Sequence, residues 1–175
     1  MVGNKKETDE TIKDGWLHTG DIGKFDSEGF LEITDRKKHL FKTSTGKYIA
    51  PSHIESIFLA SKYIEQFILI GDKRMFLSAL VVPDFEAIEE DADAHKIPYT
   101  NPEELAKNED IYKLIEKDML VFQKQLANYE KVRKFSVIDK PFTIESGEIT
   151  PKLSVKRKLV EERYRHLIEK MYAEN

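Results

Sequence analysis

Apolar and polar positions along this chain follow two different periods, and the changes of period mark out its elements. Leu31 and Ile33 alternate with Glu32 and Thr34, the period of a half-buried strand. Gly23-Lys24-Phe25 precedes them across an Asp26-Ser27-Glu28-Gly29 turn, so residues 23–34 read as a polar hairpin. Residues 39–43 and 47–50 bracket Ser44-Thr45-Gly46, which predicts a second tight hairpin. Ser52-His53-Ile54-Glu55 has the form of a capping box opening a short helix, with Ile54, Ile57 and Phe58 on one face. Residues 67–70 and 76–82 are almost continuously apolar around a Gly71-Asp72-Lys73-Arg74 turn. Such runs predict two strands in the middle of a sheet.

Residues 84–108 are acidic and broken by Pro98 and Pro102, which predicts a helix and then an irregular excursion. Ile111, Ile115, Met119, Phe122 and Leu126 recur at helical spacing and predict a long amphipathic helix. Residues 132–138 read as a last strand, and residues 155–172 as a final helix with Leu159, Leu167, Ile168 and Met171 inward. Residues 1–15 are polar, present no core face and read as a leader that packs on something else. The expected class is α+β: a small β-sheet flanked by helices, preceded by a hairpin and a polar leader.

Composition narrows the chemistry. With 175 residues, 40% apolar and 34% charged, the chain suits one soluble globular domain with a real core. A net charge of −4 gives no general attraction for nucleic acid or an anionic membrane surface. The absence of cysteine excludes disulfides, thiol catalysis and thiolate metal sites. His18, His39, His53, His95 and His166 include no pair one helical turn apart, so no metal site is expected. The first twenty residues carry no secretory signal, and the longest apolar run, 75–82, is far short of the roughly 20 residues that cross a bilayer. A cytoplasmic protein is the expectation, with peripheral membrane contact only if its substrate is a lipid.

Neither of the common phosphate-cradling loops is present. Gly46-Lys47 is followed by Tyr48, position 41 holds Phe41, and no Gly-x-Gly-x-x-Gly occurs. Two other runs carry candidate chemistry. Trp16-Leu17-His18-Thr19-Gly20-Asp21 is followed, fourteen residues past the aspartate, by Asp35-Arg36-Lys37-Lys38. A carboxylate and an arginine at opposite ends of one hairpin form a clamp for a ribose diol, since the carboxylate accepts hydroxyl protons and the guanidinium offers fixed donors. Taken singly, each run reads as a turn or a solvated loop. A third landmark, residues 44–55, joins a glycine hairpin to a helix. A fourth, residues 144–157, carries Lys152 and Lys156 on a glycine-containing turn before the terminal helix. Such a turn could set a cation on a reacting phosphate, or simply be a solvated basic helix start.

In this order the four landmarks resemble the junction between the large and small domains of the acyl-adenylate-forming enzymes, the AMP-dependent synthetase superfamily. Thr150-Pro151-x-Leu153-x-x-Lys156-Arg157 is most similar to long-chain fatty acid–CoA ligases. The resemblance implies that residues 1–37 end the large adenylation domain and residues 38–175 form the mobile C-terminal domain. It implies Asp21 and Arg36 at the nucleotide ribose, Lys38 as hinge, and Thr45, Gly46 and Lys47 along the CoA tunnel. ATP, CoA and a fatty acid would be the substrates, with magnesium held by the large domain, and the fragment alone would be inactive. One departure stands out. Ser154 occupies the position where that family carries its catalytic lysine, leaving Lys152 and Lys156 as candidates, with Lys152 nearer the flexible turn. Two rival expectations follow: the same superfamily acting on an aryl or short-chain acid, or a non-catalytic, nucleotide-responsive domain that has lost the lysine.

Overall fold

The computed structural model describes residues 5–173. Its leader is a helix α1 (Lys5–Thr11) and a minimal antiparallel ladder of β1 (Ile12–Lys13) and β2 (Trp16–Leu17). The polar hairpin follows as β3 (Asp21–Phe25) and β4 (Leu31–Arg36), antiparallel, with a bulge after Ile22. Asp26 closes its turn by accepting the backbone N–H groups of Glu28 and Phe30, each at 2.9 Å. The alternation expected to half-bury Leu31 and Ile33 instead leaves them 60% and 58% exposed. Trp16, Leu17, Phe25 and Phe30 are exposed as well.

The second hairpin is short: β5 (Phe41–Lys42) pairs with β6 (Tyr48–Ile49). Helix α2 (Pro51–Phe58) starts immediately after it, and here the expected capping box is absent. Proline takes the first helical position, where its missing N–H costs nothing, and the cap residue is Ala50, with no side-chain bond. Ser52 and Glu55 therefore sit inside the helix, free to bond elsewhere.

A three-stranded sheet forms the centre, in the order β7 (Ile64–Ile70), β8 (Leu77–Pro83), β9 (Val132–Val137). Strand β8 runs antiparallel to β7 and parallel to β9. Of the two strands expected in the middle, only β8 is central, and β7 is an edge. Residues 67–70 are nonetheless buried because helices cover both faces. Phe67, Leu69, Ala79 and Val81 meet Ile54 and Phe58 of α2 together with helices α3 (Phe85–His95) and α5 (Glu109–Phe122). Ile68, Ile70, Leu80 and Val82 meet Phe142 and helices α6 (Arg157–Arg163) and α7 (Arg165–Ala173) on the other side. A strand sandwiched in this way has no polar face to alternate, which explains the continuous apolar runs.

A short helix α4 (Pro102–Leu105) lies in the excursion before α5. Leu126 is buried but lies past the end of α5, after a 3-10 turn. The expected single terminal helix is two helices broken at Tyr164, whose ring packs edge-on to Phe142 at 5.5 Å. Residues 155 and 156 precede α6, with Val155 in an isolated bridge to Ile149.

Candidate functional site

Antiparallel register sets Asp21 directly opposite Arg36. Arg36 Nε lies 3.0 Å from Asp21 Oδ1, and two thirds of the arginine side chain faces solvent. Gly20, at φ +78°, turns the chain into β3 in a conformation that glycine adopts without strain. Its carbonyl then accepts the Lys37 N–H at 2.7 Å, and Thr19 Oγ1 accepts the Asp21 N–H at 3.1 Å. The structure thus brings the two candidate residues together as an ion pair, a carboxylate able to accept hydrogen bonds beside a guanidinium able to donate them.

Lys37 and Lys38 are the central residues of a turn closed by the His39 N–H on the Arg36 carbonyl at 2.8 Å. Asp35, just before the turn, is buried. Its carboxylate accepts the Ser52 N–H at 3.0 Å, the Ser52 hydroxyl at 3.2 Å and the Arg36 N–H at 2.6 Å. His39 Nδ1 lies 3.5 Å away.

The loop carrying the candidate lysines is braced at its base and free at its tip. Glu148, 2% exposed, is held by Arg163 and the Ser146 hydroxyl, and its carbonyl accepts the Lys156 N–H at 2.7 Å. Burial works to raise the Glu148 pKa, but hydrogen bonds from Ser146 and Arg163 and the arginine's charge outweigh it and hold the carboxyl below its ordinary value. Thr150 closes the loop by donating its N–H to the Ser154 carbonyl at 2.9 Å and accepting the Leu153 N–H at 2.8 Å. Lys152 sits in that turn, exposed, beside Leu153 at φ +59°. Lys156 is the residue capping α6.

Arg157 serves another purpose. Its Nη2 lies 2.5 and 2.6 Å from the two Glu55 carboxylate oxygens, and its Nη1 donates to the Leu69 carbonyl at 3.0 Å. Glu55 also accepts the Leu69 N–H at 2.8 Å. Burial, the largest influence, pushes the Glu55 carboxyl above its ordinary value, and Arg157 opposes it. Sequence reading missed this clamp, the Glu148–Arg163 brace and the Asp35–Ser52 contact. A glutamate beside the apolar Ile54, Ile57 and Phe58 was the one available signal.

In the glycine hairpin, Gly46 has φ +85°. Thr43 Oγ1 meets Thr45 Oγ1 at 2.9 Å and accepts the Lys47 N–H at 3.1 Å. Backbone bonds from Ser44 to Arg74 at 2.9 Å and from Lys73 to Lys42 at 2.8 Å stitch this hairpin to the β7–β8 turn. A groove of about 660 Å³ brings Lys38 together with Ser154, Lys156 and Arg157, lined also by Ser52 and Glu55. The clamp pair, Lys152 and residues 45–47 do not line it. No group of three or more metal-capable side chains occurs among the described residues.

The model for the AMP-binding enzyme C-terminal domain matches residues 39–175, and the chain belongs to that family. Fatty acyl-CoA synthetase A of Dictyostelium discoideum is 40% identical over 176 residues, covering 97% of this chain and 26% of that protein. Long-chain-fatty-acid–CoA ligase 1 of Cavia porcellus is 39% identical over 172 residues, covering 96% and 24%. The chain thus spans about a quarter of the length of these relatives. The adenylation domain of a carboxylate reductase from Mycobacterium chelonae superposes with a TM-score of 0.72 at 28% identity, over 97% of this chain and 25% of that one. The A domain of carboxylic acid reductase from Segniliparus rugosus, in complex with AMP and a co-purified carboxylic acid, gives 0.72 at 26% identity, over 97% and 25%.

Proposed function

We propose that this chain is the C-terminal working part of an AMP-forming long-chain fatty acid–CoA ligase. The observation that carries the reading is the Asp21–Arg36 pair, 3.0 Å apart at the mouth of the hinge turn, in a chain whose curated relatives are named as a fatty acyl-CoA synthetase and a long-chain-fatty-acid–CoA ligase. In this reading residues 1–37 end the large adenylation domain and residues 38–175 form the mobile domain. A fatty carboxylate attacks the α-phosphate of ATP, giving acyl-AMP and pyrophosphate. The CoA thiol then attacks the acyl carbon and AMP leaves.

Asp21 accepts the ribose hydroxyl protons and Arg36 fixes its carboxylate. Lys38, in the middle of its turn, absorbs the backbone change between the two half-reactions. Gly46, with Thr45 and Lys47, lines the path of the CoA arm. Lys152 supplies the positive charge at the reacting phosphate in place of Ser154; its exposed place in a tight turn supports this over Lys156, whose backbone is fixed at the start of α6. The magnesium ligands and the acid pocket lie outside this chain, so the 175 residues alone neither adenylate nor form thioesters.

Adenylate formation by the full-length enzyme tests the assignment. Lys152→Ala is expected to slow it at least tenfold and Lys156→Ala to change it little; equal rates in all three forms would remove both lysines from the reaction. Ser154 favours a second reading, a nucleotide-responsive domain without turnover. In that case AMP would protect the Asp21 and Arg36 backbone from hydrogen exchange while no acid is activated.

A further inference from the structure

The Asp35 carboxylate bonds across the hinge. Asp35 lies in β4 opposite Ile22, so its backbone belongs to the hairpin before Lys38. Ser52 lies in α2, whose Ile54 and Phe58 are locked into the sheet core after Lys38. The two bonds joining these residues, at 3.0 and 3.2 Å, therefore link the bodies on either side of the turn. We propose that Asp35 is a positioning residue that latches the hinge in the observed orientation and must release Ser52 before the domain can turn.

Three observations support the latch. Helix α2 has no cap of its own, because Ala50 offers no side-chain acceptor. Asp35, seventeen residues away, supplies that acceptor and puts a negative charge at the positive end of the helix. The Asp35 side chain is 1% exposed, and a buried carboxylate is tolerated only while donors surround it. Turning α2 away removes both Ser52 donors together, so the contact is held or lost as a unit rather than stretched. The charged groups that face it act in both senses. His39 lies 3.5 Å away and Arg36 gives its backbone N–H, while Glu55 of α2 repels it.

The latch rests on the ligase reading for the hinge at Lys38 and for its consequence, the division of time between two orientations that serve two half-reactions. In the full-length enzyme, pyrophosphate exchange reports the first half-reaction and thioester formation from supplied acyl-AMP reports the second. Asp35→Asn keeps the shape but removes the charge, and Ser52→Ala removes one donor. Both variants are expected to change the ratio of the two rates in the same direction, on the order of tenfold for Asp35→Asn and less for Ser52→Ala. Equal slowing of both half-reactions would mean a merely structural residue and overturn the proposal.

A second measurement separates this proposal from the ligase assignment. The chain has no cysteine, so Glu28→Cys and Lys117→Cys create the only two thiols for spin labels, one on the hairpin and one on α5. A narrow distance distribution that broadens with Asp35→Asn at unchanged helix content supports the latch even if no acid is ever activated. A distribution identical in both forms overturns it, whatever the enzyme turns out to do.

Discussion

Removing the Arg157 side chain tests how the terminal helices are tied to the rest of the domain. Arg157→Ala deletes two charge-assisted bonds to Glu55 and one to the Leu69 carbonyl. It leaves the Glu55 carboxylate, 14% exposed, with the Leu69 N–H as its remaining donor. Breaking a buried pair costs about 3–5 kcal/mol, and the 30% exposure of the arginine side chain reduces that to about 2–4 kcal/mol. For a chain of this length the midpoint of thermal unfolding should fall by roughly 5–15 °C. The pH dependence has a definite sign. Burial raises the folded Glu55 pKa, so its contribution is fully present below the ordinary glutamate value and is lost as pH rises through the raised one. Arg157 opposes that rise, so its removal should steepen the loss of stability from acid to neutral pH. Urea unfolding of the wild type, Arg157→Ala, Glu55→Gln and the double variant supplies the cycle, with an expected coupling of at least about 1 kcal/mol. A loss below about 0.5 kcal/mol with additive single effects would refute the clamp.

Glu148 should behave in the opposite sense. Its pKa is lowered in the fold, so its stabilisation is present above the ordinary glutamate value and is lost as pH falls through the lowered one. Glu148→Gln should flatten the acid limb of a urea-stability profile against pH. Gly71→Ala places a methyl 2.4 Å from Leu77 Cδ2 and 2.9 Å from the Phe41 ring; overpacking of this kind costs about 1–3 kcal/mol, and Leu77→Val should restore part of it. Gly46→Ala meets nothing closer than 3.8 Å but forces alanine to φ +85°, at about 1–2 kcal/mol. Calorimetry should therefore show no rescue of Gly46→Ala by Leu77→Val.

What the sequence disclosed and what it hid divide along physical lines. The hairpin carrying Asp21 and Arg36 was legible because its turn chemistry and register are local, and the structure puts the two residues opposite one another. Helix α5 was legible from its one apolar face. The sandwiching of β7 at a sheet edge was not, since two helical layers make an edge strand as apolar as a central one. Ser52-His53-Ile54-Glu55 misled for a related reason. Its residues match the capping pattern, but Pro51 starts the helix two residues earlier, and both polar side chains bond to residues from distant segments, Asp35 and Arg157. The break at Tyr164 was hidden because tyrosine is an ordinary helix residue; the Phe142 ring packs against it from a loop more than twenty residues away. The alternation of Leu31 and Ile33 with polar residues predicted a half-buried face, but alternation alone does not supply a layer to bury it, and both side chains are exposed.

AMP release is the most direct test of the account. It would be measured with ATP, CoA and saturated fatty acids from acetate to palmitate, using the full-length enzyme, its Asp21→Ala variant and the 175-residue chain. Turnover that rises with acyl length is expected in the full-length enzyme, with at least about a tenfold loss in kcat/KM for ATP on Asp21→Ala and no turnover from the 175-residue chain alone. No turnover with any acid, or an undiminished rate in Asp21→Ala, would contradict it.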